Sequence, residues 1–520
     1  MKRHYIFIVL LALVFGIVYS HTFDSKLDLN GDNANYLLLA ENIANGNGYA
    51  MVSPDGIVPA SHYPPGYSFF LSIFMFLGIS NLIFLKVLNG LLFFGSLILL
   101  YYLVRKITNN NALAFIVALL PLFAPSLLHF SGMVMSEMLF LFCTVLCLLG
   151  LFKNSHQKEI SFWKSPWFYV AFLSAAASYY VRTVGMAMIF AVLIFYIFRK
   201  EWKQCLVSFA GIILLIIPWS IRNSLHGIES RYFGTVMTVN PWRPESGTIS
   251  TFGEFIEKML KNFDETVIKG FKEILFPFIN LDYSTGSEFF AVVMGFIILG
   301  IIFYGAWNLK PLRWSLIACL LAHIGLFMLW HGGNGARYVA PIAPLLFVCF
   351  YTGIYSILTT WVFKKESVFT KNLPYIFVAI IFLMIPSVNA RAKVAKTSYH
   401  PAYKNYFSIA KEMEKQAKNT VCCCRKPELF RYHAPNVYTT NYLYSTNPNE
   451  VLENLIENKV DFVVLEQLGY SSTGLYLYPA IQQNQELFPI VWHLQNPDTY
   501  LLKFEREKAV EKLKSIQEEI

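Results

Sequence analysis

The chain has 520 residues, of which 55% are hydrophobic, 17% aromatic and only 14% charged, and its mean hydropathy is +0.46. A water-soluble fold has too little interior to bury so much apolar surface, so the composition excludes an ordinary soluble protein and predicts a polytopic α-helical membrane protein. The formal net charge of +9 is distributed over short loops, as membrane topology requires, and we do not interpret it as nucleic-acid binding.

About eleven segments are apolar and long enough to be transmembrane helices, since a helix needs roughly 20 residues to cross a bilayer. The predicted spans lie at residues 5–20, 84–104, 112–129, 137–152, 166–181, 183–198, 205–220, 289–307, 314–330, 338–360 and 373–389. The apolar segment 64–79 is shorter and begins with a proline pair, so we predict a helix in the outer interface. For residues 1–20 the alternative is a signal peptide that ends near Val18-Tyr19-Ser20.

Basic residues concentrate in alternate short loops, for example at Arg105-Lys106 and Arg199-Lys200. Because such loops stay on the cytoplasmic side, the N-terminus is predicted to be cytoplasmic. The loops at 21–66 and 221–288 and the tail are then on the outer side. We therefore expect a transmembrane domain at residues 1–390 and a soluble extracytoplasmic domain at 391–520.

The tail has the alternating pattern of a small α/β domain. Helices are predicted at 406–417 and 448–458, and strands at 420–424, 460–465, 491–494 and 500–504, the last two as a hairpin. Cys422, Cys423 and Cys424 do not have a zinc or disulfide spacing and are expected inside a strand. The tail has no glycine-rich phosphate loop, so it is interpreted as a lid, an acceptor platform or an interaction module.

Five charged residues are predicted to reach the same outer leaflet: Asp32, Glu137, Arg182, Arg222 and Arg337. Each also has a structural interpretation, since the acids fit helix starts and the arginines fit contacts with lipid headgroups. Together, carboxylates and arginines are typical of a site that deprotonates a hydroxyl and holds a phosphate.

Several motifs occur in a characteristic order. They are Asp32–Tyr36 followed by Gly46-Asn47-Gly48-Tyr49, then Tyr63-Pro64-Pro65-Gly66-Tyr67, Ser136-Glu137, Tyr180-Val181-Arg182, Pro218–Asn223 and Arg337–Pro341. In these residues the chain resembles the GT-C superfamily of integral-membrane glycosyltransferases. The resemblance is to the branch of the lipid A aminoarabinose transferases and protein O-mannosyltransferases, and it spans most of residues 1–390.

The resemblance implies an inverting glycosyltransferase of the bacterial inner membrane, with a polyprenyl-phosphate sugar donor. The acceptor would be an envelope glycolipid, polysaccharide or protein. Asp32 would be the catalytic base, with Asp24 and Asp28 as alternatives, and Glu137 a second acidic residue of the site. The predicted substrate-binding residues are Arg337, Tyr338, Arg222, Arg182, Tyr63 and His62.

The chain also departs from these families. It has Asp32-Asn33 where the first loop of those enzymes usually has Asp-Glu, so neither specific activity is transferred to it. The outer loops contain no Asp-x-Asp pair, and no cofactor or metal is assigned, although a divalent metal stays open. A transporter or flippase of lipid-linked sugars is the alternative function, and a sensor or structural protein is a third.

Overall fold

The computed structural model describes residues 3–157, 161–228, 232–330, 335–364 and 367–519. It divides into two compact units. The helical unit comprises Met1–Lys26, Ser61–Val236 and Ser250–Lys396, and the sheet unit comprises Leu27–Ala60, Met237–Ile249 and Thr397–Ile520. The sequence-based division assigned residues 27–60 and 237–249 to the outer loops of the domain 1–390. The structure groups both segments with the C-terminal sheet.

The helical unit consists of α-helices joined by short turns. The α-helices that begin in it are Arg3–Thr22, Gly66–Phe76, Leu82–Thr108, Asn111–Leu119, Pro125–Ser131, Glu137–Ser155, Pro166–Val181, Met186–Phe198, Trp202–Leu225, Tyr232–Met237, Phe252–Phe263, Gly270–Leu275, Phe289–Asn308, Arg313–Leu329, Gly335–Val339, Ala343–Ile357, Val368–Asn372 and Val378–Lys396. Several begin at side-chain caps: Asn81 and Asn110 each accept a hydrogen bond from the first turn of the helix that follows.

Among the described residues, eight helical runs are long and apolar enough to cross a membrane, or nine if one bent pair counts as a span. They are His4–Thr22, Leu82–Thr108, Glu137–Ser155, Trp202–Leu225, Phe289–Asn308, Lys310–Leu329, Gly335–Val362 and Val368–Gln416. Each corresponds to a predicted span. The fold class, a polytopic helical protein with a small C-terminal α/β domain, is therefore confirmed.

The remaining three predicted spans are helical but not long and straight. Residues 112–129 form two helices, Asn111–Phe123 and Pro125–Ser131, bent by 75° at the break between them. The segments 166–181 and 183–198 form helices of 16 residues each, which is about 24 Å of helix and less than a bilayer core. Gly66–Phe76 is a helix of 11 residues, as predicted for a segment too short to span.

Glycines allow two of the long helices to pack closely. A Cβ on Gly305 would collide with the carbonyl oxygen of Cys349, and one on Gly353 would collide with that of Ile301. The helices Phe289–Asn308 and Ala343–Ile357 therefore approach backbone to backbone, which small residues permit in membrane proteins.

Because of this close packing, we expect alanine to destabilise the protein at Gly305 but not at Gly300. Gly305→Ala should lower the thermal unfolding temperature of the detergent-solubilised protein, because relieving such a collision costs about 1–3 kcal/mol. Gly300 lies in the same helix and a Cβ there meets nothing within 4 Å, so Gly300→Ala is the matched control. Equal unfolding temperatures for the two variants would contradict the close contact.

The sheet unit contains two sheets. The first is the antiparallel hairpin of β1 (Ala50–Ser53) and β2 (Gly56–Pro59). The second has five strands: β3 (Val421–Cys423), β4 (Tyr438–Thr440), β5 (Phe462–Leu465), β6 (Ile490–Leu494) and β7 (Thr499–Lys503). Their order is β4-β3-β5-β7-β6, with β4, β3 and β5 parallel and β7 antiparallel to both β5 and β6.

Helices pack around this second sheet. The unit's α-helices are Asp32–Ala44, Pro401–Gln416, Pro427–His433, Pro448–Glu457, Tyr478–Gln483 and Arg506–Glu519. Prolines start four of these at a position where their missing N–H costs nothing, and Asn447 caps the helix Pro448–Glu457 as predicted. Cys422 and Cys423 lie in β3 as predicted, whereas Cys424 follows its last residue. All three cysteines are fully buried, and burial raises the pKa of the Cys422 and Cys423 thiols.

Candidate functional site

A buried ion pair joins two of the predicted site residues in the helical unit. Nη1 of Arg182 lies 2.8 Å from Oε1 of Glu137 and 3.0 Å from the hydroxyl oxygen of Ser136. The Glu137 side chain is fully buried, whereas that of Arg182 is 20% exposed. In the part of the chain that the structure describes, Oε2 of Glu137 has no hydrogen-bond partner. Arg182 is therefore the partly exposed member of the pair, whereas the Glu137 carboxylate is buried.

Local structure fixes both members of the pair. Glu137 is the first residue of the helix Glu137–Ser155, where its charge favours the helix dipole. Upstream of it, the buried amide of Asn89 donates to the carbonyl oxygens of Met133 and Met135, and Tyr67 donates to the Asn89 amide oxygen at 3.2 Å. Arg182 has an extended backbone at the end of Pro166–Val181. Asn89, a residue of the helix Leu82–Thr108, thus holds the turn before Glu137 in place.

The proline-glycine motif of the first loop contributes to the same place. A Cβ on Gly66 would lie 2.6 Å from the carbonyl oxygen of Tyr180 and 2.9 Å from the backbone nitrogen of Val181. Only glycine permits this approach. Three of the sequence motifs, those around Gly66, Glu137 and Arg182, therefore converge within the helical unit.

Asp32 lies in the sheet unit, at the start of the helix Asp32–Ala44. The N-cap position is occupied by Gly31, whose φ is 98°, and Asp32 is the first residue of the helix, at the helix start that its structural interpretation expects. Lys426 Nζ donates to the carbonyl oxygen of Asn30 at 2.7 Å, and a Cβ on Gly31 would meet the Glu428 carboxylate at 3.4 Å. The turn that presents Asp32 is therefore built against the helix Pro427–His433.

The same helix contacts the far end of the loop. Arg431 Nη1 donates to the carbonyl oxygen of Val52 at 2.6 Å, and burial lowers the pKa of this guanidinium. Burial also raises the pKa of the Tyr432 phenol, with the Glu41 carboxylate as the second cause. Arg431 and Tyr432 are therefore partly desolvated in this helix.

The alternative bases are engaged in local structure. Asp24 accepts from the backbone nitrogen and from Nζ of Lys26, both at 2.8 Å, and its own carbonyl oxygen accepts from Lys86. Asp28 accepts from the backbone nitrogen of Asn30 at 2.9 Å, an Asx-type turn. Lys86, only 2% exposed, was not predicted as a site residue, although a lysine inside an apolar span is a signal for one.

The remaining predicted binding residues lie in the helical unit. Arg222 lies 4.8 Å over the ring of Trp219 and donates to the side chain of Asn223. The rings of His62 and Tyr63 pack edge to face with centroids 4.4 Å apart. Arg337 and Tyr338 are half-buried in the short helix Gly335–Val339.

A charged cluster beside Gly335 was missed from the sequence. The π-helical turn Asp264–Lys269 pairs its two ends, with Lys269 Nζ 3.4 Å from Oδ2 of Asp264. Tyr283 donates to Glu273 at 2.5 Å, and a Cβ on Gly335 would lie 2.8 Å from the Tyr283 hydroxyl oxygen. The run of acidic and basic residues at 264–273 was the available signal. These contacts support the helix that carries Arg337.

Two features bear on cofactors. Among the described residues, no group of three or more His, Cys, Asp or Glu side chains has an arrangement that could hold a metal ion. The Glu137 carboxylate is instead paired with Arg182. This arrangement suits the binding of a phosphate and the acceptance of a proton.

Comparison with solved structures defines the fold. The archaeal oligosaccharyltransferase AglB from Archaeoglobus fulgidus matches with a TM-score of 0.61 at 13% identity, over 97% of this chain and 74% of that one. ArnT from Cupriavidus metallidurans matches with a TM-score of 0.56 at 11% identity, over 95% of this chain and 97% of that one. The chain therefore has the fold of the GT-C membrane glycosyltransferases, which confirms the resemblance found in the motifs.

Comparison with family models finds a similarity over part of the chain. A family model described as dolichyl-phosphate-mannose-protein mannosyltransferase matches residues 55–228, which is less than half of the chain. A search of curated proteins finds no significant match. The matched region contains Glu137, Arg182 and Arg222 but not Asp32.

Proposed function

We propose that this chain is an inverting glycosyltransferase that moves a sugar from a polyprenyl-phosphate donor to an acceptor hydroxyl. The observation that carries the proposal is the fold, shared over nearly the whole chain with two enzymes solved with such lipids. AglB was solved in complex with dolichol-phosphate, and ArnT was solved bound to undecaprenyl phosphate. The mannosyltransferase family model supports glycosyl transfer as the general reaction.

In the proposed reaction the acceptor oxygen attacks the anomeric carbon while the bond to the lipid phosphate breaks. The Asp32 carboxylate takes the proton of the acceptor hydroxyl. Arg182, Arg222 and Arg337 offset the negative charge that develops on the departing phosphate, because guanidinium groups remain charged and match phosphate oxygens. Glu137 orients Arg182 through the 2.8 Å ion pair.

The proposed location is the bacterial inner membrane, with the N-terminus in the cytoplasm. The sheet unit is then on the outer side, where Asp32 meets an acceptor of the cell envelope. The orientation is supported by the distribution of lysine and arginine among the loops, and the inner membrane by the resemblance to the glycosyltransferase family. The acceptor class remains a glycolipid, a polysaccharide or a protein.

Transfer of labelled sugar tests the proposal. Purified protein is given a panel of synthetic polyprenyl-phosphate sugars together with cell-envelope extracts. A labelled envelope product is expected with at least one donor. Donor binding without transfer across the whole panel would overturn the proposal in favour of the transporter or flippase alternative.

We further propose that transfer does not require a metal ion. The permanently charged arginines supply the positive charge that a divalent cation supplies elsewhere. Adding EDTA to the transfer assay should leave the rate unchanged. A rate that is lost on chelation and restored by Mg²⁺ or Mn²⁺ would contradict this prediction.

A further inference from the structure

The parallel part of the five-stranded sheet has the topology that creates a binding crevice. β3 lies between β4 and β5, and all three strands run in the same direction. The chain leaves β3 toward β4 on one side, whereas it leaves β5 toward β6, which lies beyond β7 on the other side. Ligands of open α/β sheets bind outside the carboxyl ends of the strands where the connections diverge in this way. In this chain that point is between β3 and β5.

The residues that follow these strands meet at that edge. Arg425 comes two residues after β3, and its Nε donates to the hydroxyl oxygen of Ser472 at 2.8 Å. Its guanidinium carbon lies 4.3 Å from the ring centre of Tyr470 and 5.5 Å from that of Tyr444. Among the described residues, Arg425 forms no ion pair. Its two terminal amino groups are therefore left for an anion.

A hydrogen-bonded network holds this arrangement in place. The Tyr442 hydroxyl lies 3.1 Å from the hydroxyl oxygens of both Ser472 and Thr473, and Thr473 donates to Oε1 of Glu466 at 2.5 Å. Glu466 is 4% exposed and also accepts from the backbone nitrogen of Leu468. Burial raises the pKa of this carboxyl group. The network fixes Ser472, and through it Arg425.

Aromatic rings and a second cation complete the edge. Tyr444 stacks on Tyr476 with ring centres 5.2 Å apart, and the Tyr403 and Tyr470 hydroxyls lie 3.4 Å apart. Lys426 Nζ lies 5.0 Å from the ring centre of Tyr470. Tyr403, Tyr444 and Tyr470 are half-buried, so part of each ring is accessible.

The segment 237–249 closes one side of the same edge. Arg243 Nη2 donates to the hydroxyl oxygen of Ser471 at 2.6 Å, and Tyr476 donates to Glu245 at 2.8 Å. A segment more than two hundred residues away in sequence is therefore tied to the loop that follows β5. The edge is lined from three parts of the chain.

We propose that the carboxyl edge of β4, β3 and β5 binds an acidic saccharide, that is, a sugar carrying a carboxylate or phosphate. Arg425 holds the anionic group, and the tyrosines contact the sugar ring and donate to its hydroxyls. The sugar would be part of the acceptor, a step that rests on the proposed function. The binding itself does not depend on that function.

Equilibrium binding to the full-length protein in detergent tests the site. The probes are glucuronic acid, glucose 6-phosphate, glucose and inorganic phosphate, and donor is omitted. Both acidic sugars should saturate binding, and glucose and phosphate should each bind about tenfold more weakly, as expected if both parts of the ligand contribute. Phosphate binding as tight as that of glucose 6-phosphate, or no saturable binding by either acidic sugar, would overturn the proposal.

Variants separate the site from a general charge effect. Arg425→Gln should weaken binding of the acidic sugars about tenfold, since a charge-assisted hydrogen bond is lost. The matched control is Arg506→Gln: this arginine lies at the opposite edge of the sheet, 3.7 Å from Asp461, which precedes β5. Tyr470→Phe keeps the ring and provides a second, milder variant if Arg425→Gln lowers the unfolding temperature. Unchanged binding in both site variants would refute the assignment.

The test also separates this inference from the proposed function. Asp32→Asn should bind acidic sugars like the wild type whether or not the protein transfers sugar. Absence of transfer together with saturable, Arg425-dependent binding would remove the glycosyltransferase proposal and leave the saccharide site.

Discussion

Replacing Asp32 by asparagine is expected to lower sugar transfer by about 10²–10⁴-fold, the usual contribution of a positioned general base. The substitution keeps the size of the side chain and removes its ability to accept a proton. Donor binding should be unchanged, so the loss should appear in turnover. Rates from labelled polyprenyl-phosphate sugar, together with donor affinity, give the two quantities.

Three other aspartates provide controls for Asp32. Asp55 lies in the same loop, is exposed, and pairs with Lys459, so Asp55→Asn should transfer sugar at the wild-type rate. Asp24→Asn and Asp28→Asn test the alternative bases. Wild-type transfer by Asp32→Asn would remove Asp32 as the base, and selective loss in Asp24→Asn or Asp28→Asn would identify its replacement.

Replacing Arg182 by methionine is expected to destabilise the protein by about 3–5 kcal/mol, because it leaves a fully buried carboxylate without its cation. The double variant Glu137→Gln/Arg182→Met removes both charges and should recover most of this loss. Unfolding temperature followed by tryptophan fluorescence in detergent measures both effects. A single variant as stable as the wild type would contradict the buried pair.

The pair of Arg199 and Glu201 is a matched control. Its nitrogen and oxygen are also 2.8 Å apart, but both side chains are about a quarter exposed. Arg199→Met should therefore cost about 1 kcal/mol or less. Arg182→Lys keeps the charge without the planar fork, so it should retain more stability than Arg182→Met while weakening donor binding.

Most helices could be predicted from the sequence because apolar length and turn residues determine them locally. Some of the C-terminal elements were predicted for the same reason: Asn447-Pro448 indicates a helix start, and the segments at 460–465 and 500–504 indicate strands. The sequence analysis did not predict β4 or the helices Pro427–His433, Tyr478–Gln483 and Arg506–Glu519. Pro121 and Pro125 explain why 112–129 is bent, since proline cannot donate within a helix.

The site was less predictable because its contacts join distant parts of the chain. The motifs identified Glu137 and Arg182 separately, but only the fold brings Arg182 Nη1 to the Glu137 carboxylate, 45 residues away in sequence. Lys426, which supports the turn before Asp32, has no local signal of that role. The order of strands β4, β3 and β5 is also set by tertiary packing. The functional roles of all the predicted site residues, Glu137 and Arg182 included, remain predictions.

The contact between Lys426 and Asn30 has a consequence for how the protein is made. Lys426 follows Asn30 by 396 residues. At ordinary rates of synthesis the ribosome needs roughly 20–80 s to cover that distance. The turn before Asp32 therefore lacks this contact until residue 426 has been synthesised. A protein truncated before residue 400 would still contain Asp32 but would lack the lysine that supports the turn before it.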